Sequence, residues 1–322
     1  LSAVRIAVIG AGRMGRLHAQ KLAANPRARL VAVADPDAAR ARALAAELGC
    51  RAESTHRALL GELDAAVVAA PAAVHHAIAE DCLEAGLHLL VEKPLARSLA
   101  QADRLAELAL RRGRVLQVGH IERYNPAFQA LLAEGGQPLF IDAERLAPFQ
   151  PRGTDVDVVL DLMIHDLDLT LALAPAPVEA VSASGFKVLS AATDIANARI
   201  EFAGGTVASV VASRVSREPL RKFRVFYRER YVSVDLRAQR LRVARAGEHA
   251  LHEEDRVYGP ADPLAAQTEA FLRAVAQGEP PEVGAEAGRQ ALALALAVMH
   301  AIGERQARHE GARLDAGGAV AS

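Results

Sequence analysis

The chain has 322 residues, 51% of them hydrophobic, which is enough apolar material for two domains more comfortably than one. Its formal net charge of −1, from 38 basic and 39 acidic residues, leaves no global basic field to attract nucleic acid and no acidic tail. Cys50 and Cys82 show neither metal-ligand spacing nor a disulfide framework. No apolar run reaches the ~18 residues of a membrane span, and the N-terminus enters a strand with no signal-peptide pattern, so a cytoplasmic chain with reduced thiols and no membrane partner is expected.

Val4–Ile9 is a short apolar run of β character. Gly10–Gly15 follows, then a helix-compatible stretch to about Ala24. Arg29–Ala34 predicts a second strand ending at Asp35, and Asp37–Leu48 a helix stopped by Gly49. Ala65–Ala70 predicts a third strand, ended by Pro71, and Val74–Ala85 a helix stopped by Gly86. Leu87–Val91 runs as a strand into Glu92-Lys93-Pro94. Ser98 is placed to cap a helix over Ser98–Arg112, with Gly113 as its stop and Val115–Gly119 as the next strand. This alternation predicts an α/β fold with a doubly wound parallel Rossmann sheet over residues 1–120.

Beyond His120 the pattern changes. A helix is predicted over about Asp155–Ala174. Strand-like runs follow at Val178–Leu189, Ile195–Phe202, Val207–Val215, Phe223–Tyr227, Tyr231–Leu236 and Arg240–Ala244, with Ala203–Thr206 as a hairpin turn. Helices near Pro263–Ala276 and Ala285–Ala307 close a second domain, residues 121–310, of α+β type with an open, mainly antiparallel sheet. The small-residue tail, 311–322, reads as frayed.

Gly10-x-Gly12-x-x-Gly15 sits between a strand and a helix, where such a motif has a mechanism. Gly10 permits the tight turn, Gly12 lets the backbone approach a pyrophosphate, and Gly15 lets helix and strand pack closely. The helix N-terminus, with Arg13 and Met14 in its first turn, offers N–H groups to the phosphates. Asp35, twenty residues after Gly15, would accept hydrogen bonds from the adenosine ribose and repel a 2′-phosphate. NAD is therefore expected over NADP, with Arg40 nearby pulling the other way. Ala70, Pro71, His75, Glu92 and Lys93 lie at or after the next strand ends and are further candidates for contact with the cofactor.

Only four of the 38 basic residues are lysines, Lys21, Lys93, Lys187 and Lys222, so a lysine inside a motif is notable. Lys93 precedes a proline at the C-terminal end of a parallel strand, where ligands of open α/β sheets bind. A cis Lys-Pro bond is accessible there. Taken alone, the same residues also fit a strand ending in a surface lysine and a breaker proline. Asp161 and His165 are four apart in a helix that is otherwise largely apolar, with Asp168 continuing their stripe and Asp166 pointing elsewhere. A carboxylate beside an imidazole raises its basicity, though the spacing alone also fits a solvated face. No carboxylate stands at metal-ligand spacing from His75 and His76, so no metal site is expected. His18 reads as a packed or exposed helix residue.

Gly10–Gly15, Asp35, Glu92-Lys93-Pro94 and Asp161-x-x-x-His165-Asp, in that order and spacing, resemble the glucose-fructose oxidoreductase/inositol dehydrogenase/MocA family over nearly the whole chain. The resemblance implies an NAD-dependent dehydrogenase acting on a sugar-type secondary alcohol, with Lys93, Asp161 and His165 as the catalytic group. It also implies a homodimer or homotetramer formed through the exposed face of the C-terminal sheet. The segment His120–Pro126 joins the two domains, so Arg123, Tyr124 and Asn125, together with Asp161 and His165, are candidate substrate contacts. Its wording, with that of Leu160–Asp168 and Thr193–Ala198, resembles the branch that oxidises the 3-hydroxyl of UDP-N-acetylglucosamine. A UDP-sugar needs cations for its pyrophosphate, for which Arg214, Arg217, Arg221, Lys222 and Arg224 are available. Two other readings stay open: a cyclitol or free-sugar dehydrogenase, and a non-catalytic NAD-binding sensor.

Overall fold

The computed structural model describes residues 3–150, 156–247 and 250–318. The chain divides into two compact units, Leu1–Tyr124 with Asp262–Leu292, and Asn125–Ala261 with Ala293–Ser322.

The first unit runs β1 (Val4–Ile9), α1 (Arg13–Ala23), β2 (Ala28–Ala34), α2 (Ala38–Leu48), β3 (Arg51–Glu53), β4 (Ala65–Val68), α3 (Ala72–Glu84), β5 (His88–Val91), α4 (Leu99–Arg112) and β6 (Leu116–Val118). All six strands are parallel, in the order β3-β2-β1-β4-β5-β6. β4, between β1 and β5, is covered on both faces and reads as an unbroken apolar run with every residue buried, whereas β1 and β2 carry the exposed Arg5 and Arg29 near their starts. Helix boundaries follow local chemistry. The Asp37 carboxylate caps α2 by accepting from the N–H groups of Ala39 and Arg40, and the Ser98 hydroxyl caps α4. β3, with three partly exposed residues, has too little pattern to be read in advance.

The second unit runs α5 (Pro126–Glu134), β7 (Phe140–Leu146), a π-helical turn (Val159–Met163), α6 (Ile164–Leu173), β8 (Val178–Phe186), β9 (Ile195–Phe202), β10 (Val207–Ser213), β11 (Leu220–Phe226), β12 (Arg230–Asp235), β13 (Arg240–Ala246) and β14 (Leu251–Val257). They form one eight-stranded sheet, ordered β14-β13-β12-β11-β7-β10-β9-β8. Only β7 and β10 pair in parallel; the other neighbours are antiparallel. Alternation decides the faces: Ala196, Ala198, Ile200 and Phe202 of β9 point inward while Asn197, Arg199 and Glu201 point out. The expected hairpin turn joins β9 and β10, with positive φ at both Gly204 and Gly205.

Two helices, α7 (Pro263–Gln277) and α8 (Ala285–Gly318), end the chain. α7 belongs to the first unit, where Phe271 and Leu272 join the core of Ile6, Val8 and Val33. A sequence reading that assigns 121–310 to one domain follows chain order, whereas apolar packing returns Asp262–Leu292 to the Rossmann sheet. α8 continues to Gly318 through most of the tail read as frayed, and residues 319–322 lie outside the described residues. So does Asp155, the expected start of the helix that leads to Ala174. Among the described residues no helix is long and apolar enough to cross a membrane.

Candidate active site

In the first unit, the ends of four neighbouring strands, β2, β1, β4 and β5, bring together the glycine loop, Asp35, Ala70-Pro71 and Glu92-Lys93-Pro94. Gly10 has φ +104°, and a Cβ there would lie 2.6 Å from the Ala69 carbonyl oxygen. A Cβ on Gly15 would lie 1.7 Å from the carbonyl oxygen of Gly10, so only glycine allows α1 to pack this closely. A Cβ on Gly12 would meet nothing within 4 Å. No side chain caps α1, which begins at Arg13. The result is a cradle with open space over Gly12 and uncapped helix N–H groups facing it, which fits a dinucleotide pyrophosphate.

Asp35 is buried at the end of β2. Its Oδ2 accepts from the Ala11 N–H at 2.7 Å and its Oδ1 from the Asp37 N–H at 2.9 Å. Each oxygen keeps a further lone pair, as ribose recognition requires. Arg40 Nη1 stands 3.7 Å from Oδ2 on an exposed guanidinium.

The Lys93-Pro94 bond is cis. Glu92 is buried, its Oε1 2.7 Å from His18 Nε2, and its Oε2 accepts from the Lys93 N–H at 3.2 Å. Burial pushes the Glu92 pKa up, but the hydrogen bond and charge of His18, with Lys93, outweigh it and hold the carboxyl below its ordinary value. His75 is 1% exposed, with Nδ1 2.8 Å from the Pro94 carbonyl oxygen and Nε2 2.7 Å from that of Ala70. Glu92 and His75, both expected to contact a cofactor, thus turn their polar atoms inward. His18, which the sequence leaves as a packed or exposed helix residue, is packed and fully buried, and its contact with Glu92 is not foreseen there. Its signal was its place beside Ala19, and with Gly15 and Leu22, on the buried face of α1, where a polar side chain must find a partner.

In the second unit, Asp157 opens the helical segment: its carboxylate accepts from Val159 N–H and its carbonyl from the N–H groups of Leu160 and Asp161. Asp161 lies inside the π-helical turn and His165 in the first turn of α6, both half-buried. The four-residue spacing therefore crosses a change of helix type, and π turns of this kind are frequent at functional sites. Asp166 and Asp168 are both buried. Asp166 receives two hydrogen bonds from Arg145 of β7, at 2.7 and 3.0 Å, which tie α6 to the sheet.

Arg123 is half-buried in a 3₁₀ turn, Ile121–Tyr124. Tyr124 packs with Ala270 and Val283 in a small apolar cluster. Asn125 is buried as the cap of α5: its side-chain Oδ1 accepts from Ala127 N–H, and its Nδ2 donates to the Leu236 carbonyl at 2.8 Å. Among the basic residues considered for a pyrophosphate, three already face carboxylates. Arg214 pairs with Asp194, Lys222 with Asp235, and Arg224 with Asp142 and Glu144.

The model of the oxidoreductase family with an NAD-binding Rossmann fold, GFO/IDH/MocA, matches residues 4–120, and that of the GFO/IDH/MocA C-terminal domain matches 134–232. Over 306 residues the chain is 44% identical to UDP-N-acetylglucosamine 3-dehydrogenase of Acidithiobacillus ferrooxidans, covering 93% of this chain and 97% of that enzyme. A solved structure of that enzyme matches with a TM-score of 0.89 over 94% of this chain and 98% of the other. The scyllo-inositol 2-dehydrogenase (NAD(+)) of Bacillus subtilis is 32% identical over 232 residues, 66% of this chain and 68% of that one. The paired models and the near full-length relative agree with the architecture: the chain belongs to the GFO/IDH/MocA family of oxidoreductases, with its NAD-binding Rossmann domain first and the family's C-terminal domain after it.

Proposed function

We propose that the chain is an NAD-preferring dehydrogenase that oxidises a ring hydroxyl of a nucleotide sugar, with the 3-hydroxyl of UDP-N-acetylglucosamine the first candidate. What carries this reading is the 44% identity to the Acidithiobacillus enzyme across 93% of the chain, against 32% across 66% for the inositol enzyme. When bound, NAD supplies the hydride acceptor. The glycine loop, with the backbone of Arg13 and Met14, holds the pyrophosphate. Asp35 accepts from the ribose hydroxyls and disfavours a 2′-phosphate, and Ala70 and Pro71 line the same strand ends. His165 takes the proton from the hydroxyl oxygen as hydride leaves the carbon that bears it, Asp161 orients the imidazole, and the Lys93 amine donates to the oxygen and stabilises its developing charge. Within the joining segment Arg123 is the candidate for a polar substrate contact, beside Asp161 and His165, while Tyr124 packs with Ala270 and Val283 and Asn125 caps α5.

A screen of nucleotide sugars and free cyclitols for NADH absorbance, with hydroxylamine to trap the ketone, tests this. Turnover of UDP-N-acetylglucosamine is expected. Turnover of free inositol with none of any nucleotide sugar would replace this reading with the cyclitol one. Repeating the assay with NADP reads the cofactor choice, and Asp35→Ala is expected to weaken NAD and narrow the preference; unchanged selectivity removes Asp35 from that role.

The open face of the eight-stranded sheet supports association with a second copy of the chain. Phe140, Phe226 and Tyr231 form an aromatic row there, with ring centroids 5.9 and 4.9 Å apart, and Phe226 is 38% exposed. Sedimentation equilibrium should give a dimer or tetramer mass, and a monomer at micromolar concentration would contradict this.

A further inference from the structure

We propose that His75, which has no part in the proton and hydride chemistry, is a positioning residue for Lys93. This rests on the reading of Lys93 as the amine that serves the reacting oxygen.

His75 stands in the first turn of α3 with its ring sealed from solvent. Its two nitrogens reach two carbonyl oxygens that belong to different turns: Ala70, just past the end of β4, and Pro94, just past the end of β5. Carbonyls only accept, so the neutral ring, with its single N–H, donates to one of the two, and only the imidazolium donates to both. Both turns leave the sheet at this point, because β4 ends at Val68 and β5 at Val91. Each also carries a proline, Pro71 or Pro94, whose nitrogen has no hydrogen with which to pin the chain. Packed between the two turns, the ring takes over that work, holding one carbonyl in its neutral form and both as the imidazolium.

Lys93 lies between two anchored neighbours. On one side the Glu92 carboxylate is held by His18 from α1, and on the other the Pro94 carbonyl is held by His75 from α3. A lysine has a long, flexible stem, so the placement of its amine depends on how firmly its backbone is fixed. Catalytic groups need placement within about 0.5 Å, and a displacement of about 1 Å costs on the order of 10²-fold in rate. Both ring nitrogens of His75 are engaged inside the unit, so its influence runs through the backbone of Lys93-Pro94 and not through a contact with cofactor or substrate.

The chain has only four lysines, which makes a direct readout practical. Reductive ¹³C-methylation of the full chain gives few lysine signals, and that of Lys93 is identified by its loss in Lys93→Met. In His75→Ala the Lys93 signal is expected to move toward the position of a free lysine while those of Lys21, Lys187 and Lys222 stay in place. In kinetics with UDP-N-acetylglucosamine and NAD, His75→Ala should lower kcat about 10-fold to 10²-fold in the native background. In Lys93→Met the same change should cost less than about twofold, because groups that act as one unit do not add. NAD affinity should stay within about threefold. If His75→Ala does not fold, His75→Gln makes the same comparisons, since its amide can donate to one of the two carbonyls. An unmoved Lys93 signal, or equal losses in both backgrounds, overturns the proposal. Full activity in Lys93→Met removes the role of Lys93 and this inference with it. An impaired Lys93→Met beside an unimpaired His75→Ala removes this inference alone.

Discussion

His165→Ala lowers kcat by about 10²-fold or more, the usual contribution of a positioned general base, and leaves NAD affinity nearly unchanged. The reason lies in how α6 is built. The anchor of the helix is the next residue, Asp166, whose carboxylate takes both hydrogen bonds from Arg145 inside the unit. His165 is half-buried and its removal leaves that anchor in place. The nucleotide cradle is made by residues of the other unit, the glycine loop and Asp35. Steady-state kinetics paired with calorimetric titration of NAD separate the two effects. A loss of NAD affinity as large as the loss of kcat would speak against a proton-transfer role.

Asp194→Ala should lower the unfolding free energy by about 3–5 kcal/mol, the range found when one member of a buried ion pair is removed. Asp194 is fully buried. It accepts hydrogen bonds from the N–H groups of Val188, Leu189 and Ser190, from the Ser190 hydroxyl, and from Arg214 at 2.7 Å. Without the carboxylate, three backbone donors and a buried guanidinium lose their acceptor. The loss reaches the site as well. Arg214 donates to the Val156 carbonyl, and Val158 N–H donates to the carbonyl of Thr193, just ahead of the turn that carries Asp161. Burial by itself would raise the Asp194 pKa; the hydrogen bonds from Ser190, Arg214, Leu189 and Val188 outweigh it and hold the carboxyl far below the ordinary range. A carboxyl depressed in the folded state stabilises above its unfolded pKa of roughly 4 and loses that contribution as pH falls toward the folded value. The gap between native and Asp194→Ala stability should therefore be full at pH 7 and narrow below about pH 4. Urea unfolding at several pH values measures it. A gap that is small at neutral pH, or that widens in acid, would refute the account.

Local rules made much of the molecule legible. The glycine spacing of Gly10–Gly15, the acid at Asp35, the cap at Ser98 and the apolar run of β4 depend on backbone sterics and burial, which act over a few residues. Lys93, Asp161 and His165 are grouped by the family resemblance, since the local pattern around each also fits a surface reading. Other features escaped that reading. β7 is an inner strand whose inward residues include Arg145, so its alternation is masked by a charge that pairs with Asp166. β14 faces solvent along nearly its whole length and exists through backbone pairing with β13. The Asn125-Pro126 pair is a good cap-and-start signal for α5, yet read as part of a joining segment it suggested substrate contact. The π turn at Asp161 is a matter of hydrogen-bond registry that composition does not encode.

What the amino-acid order determines by itself is therefore the set of elements with short-range causes and the kinds of polar group the chain carries. Tertiary structure alone decides which partner each buried polar group receives: His18 for Glu92, Pro94 for His75, Arg145 for Asp166, and Asp194 for Arg214. Burial obliges a polar side chain to find a partner, but that obligation names no residue. The partners here stand between 19 and 74 positions away along the chain, and only the packing of helices and strands brings them within hydrogen-bond reach.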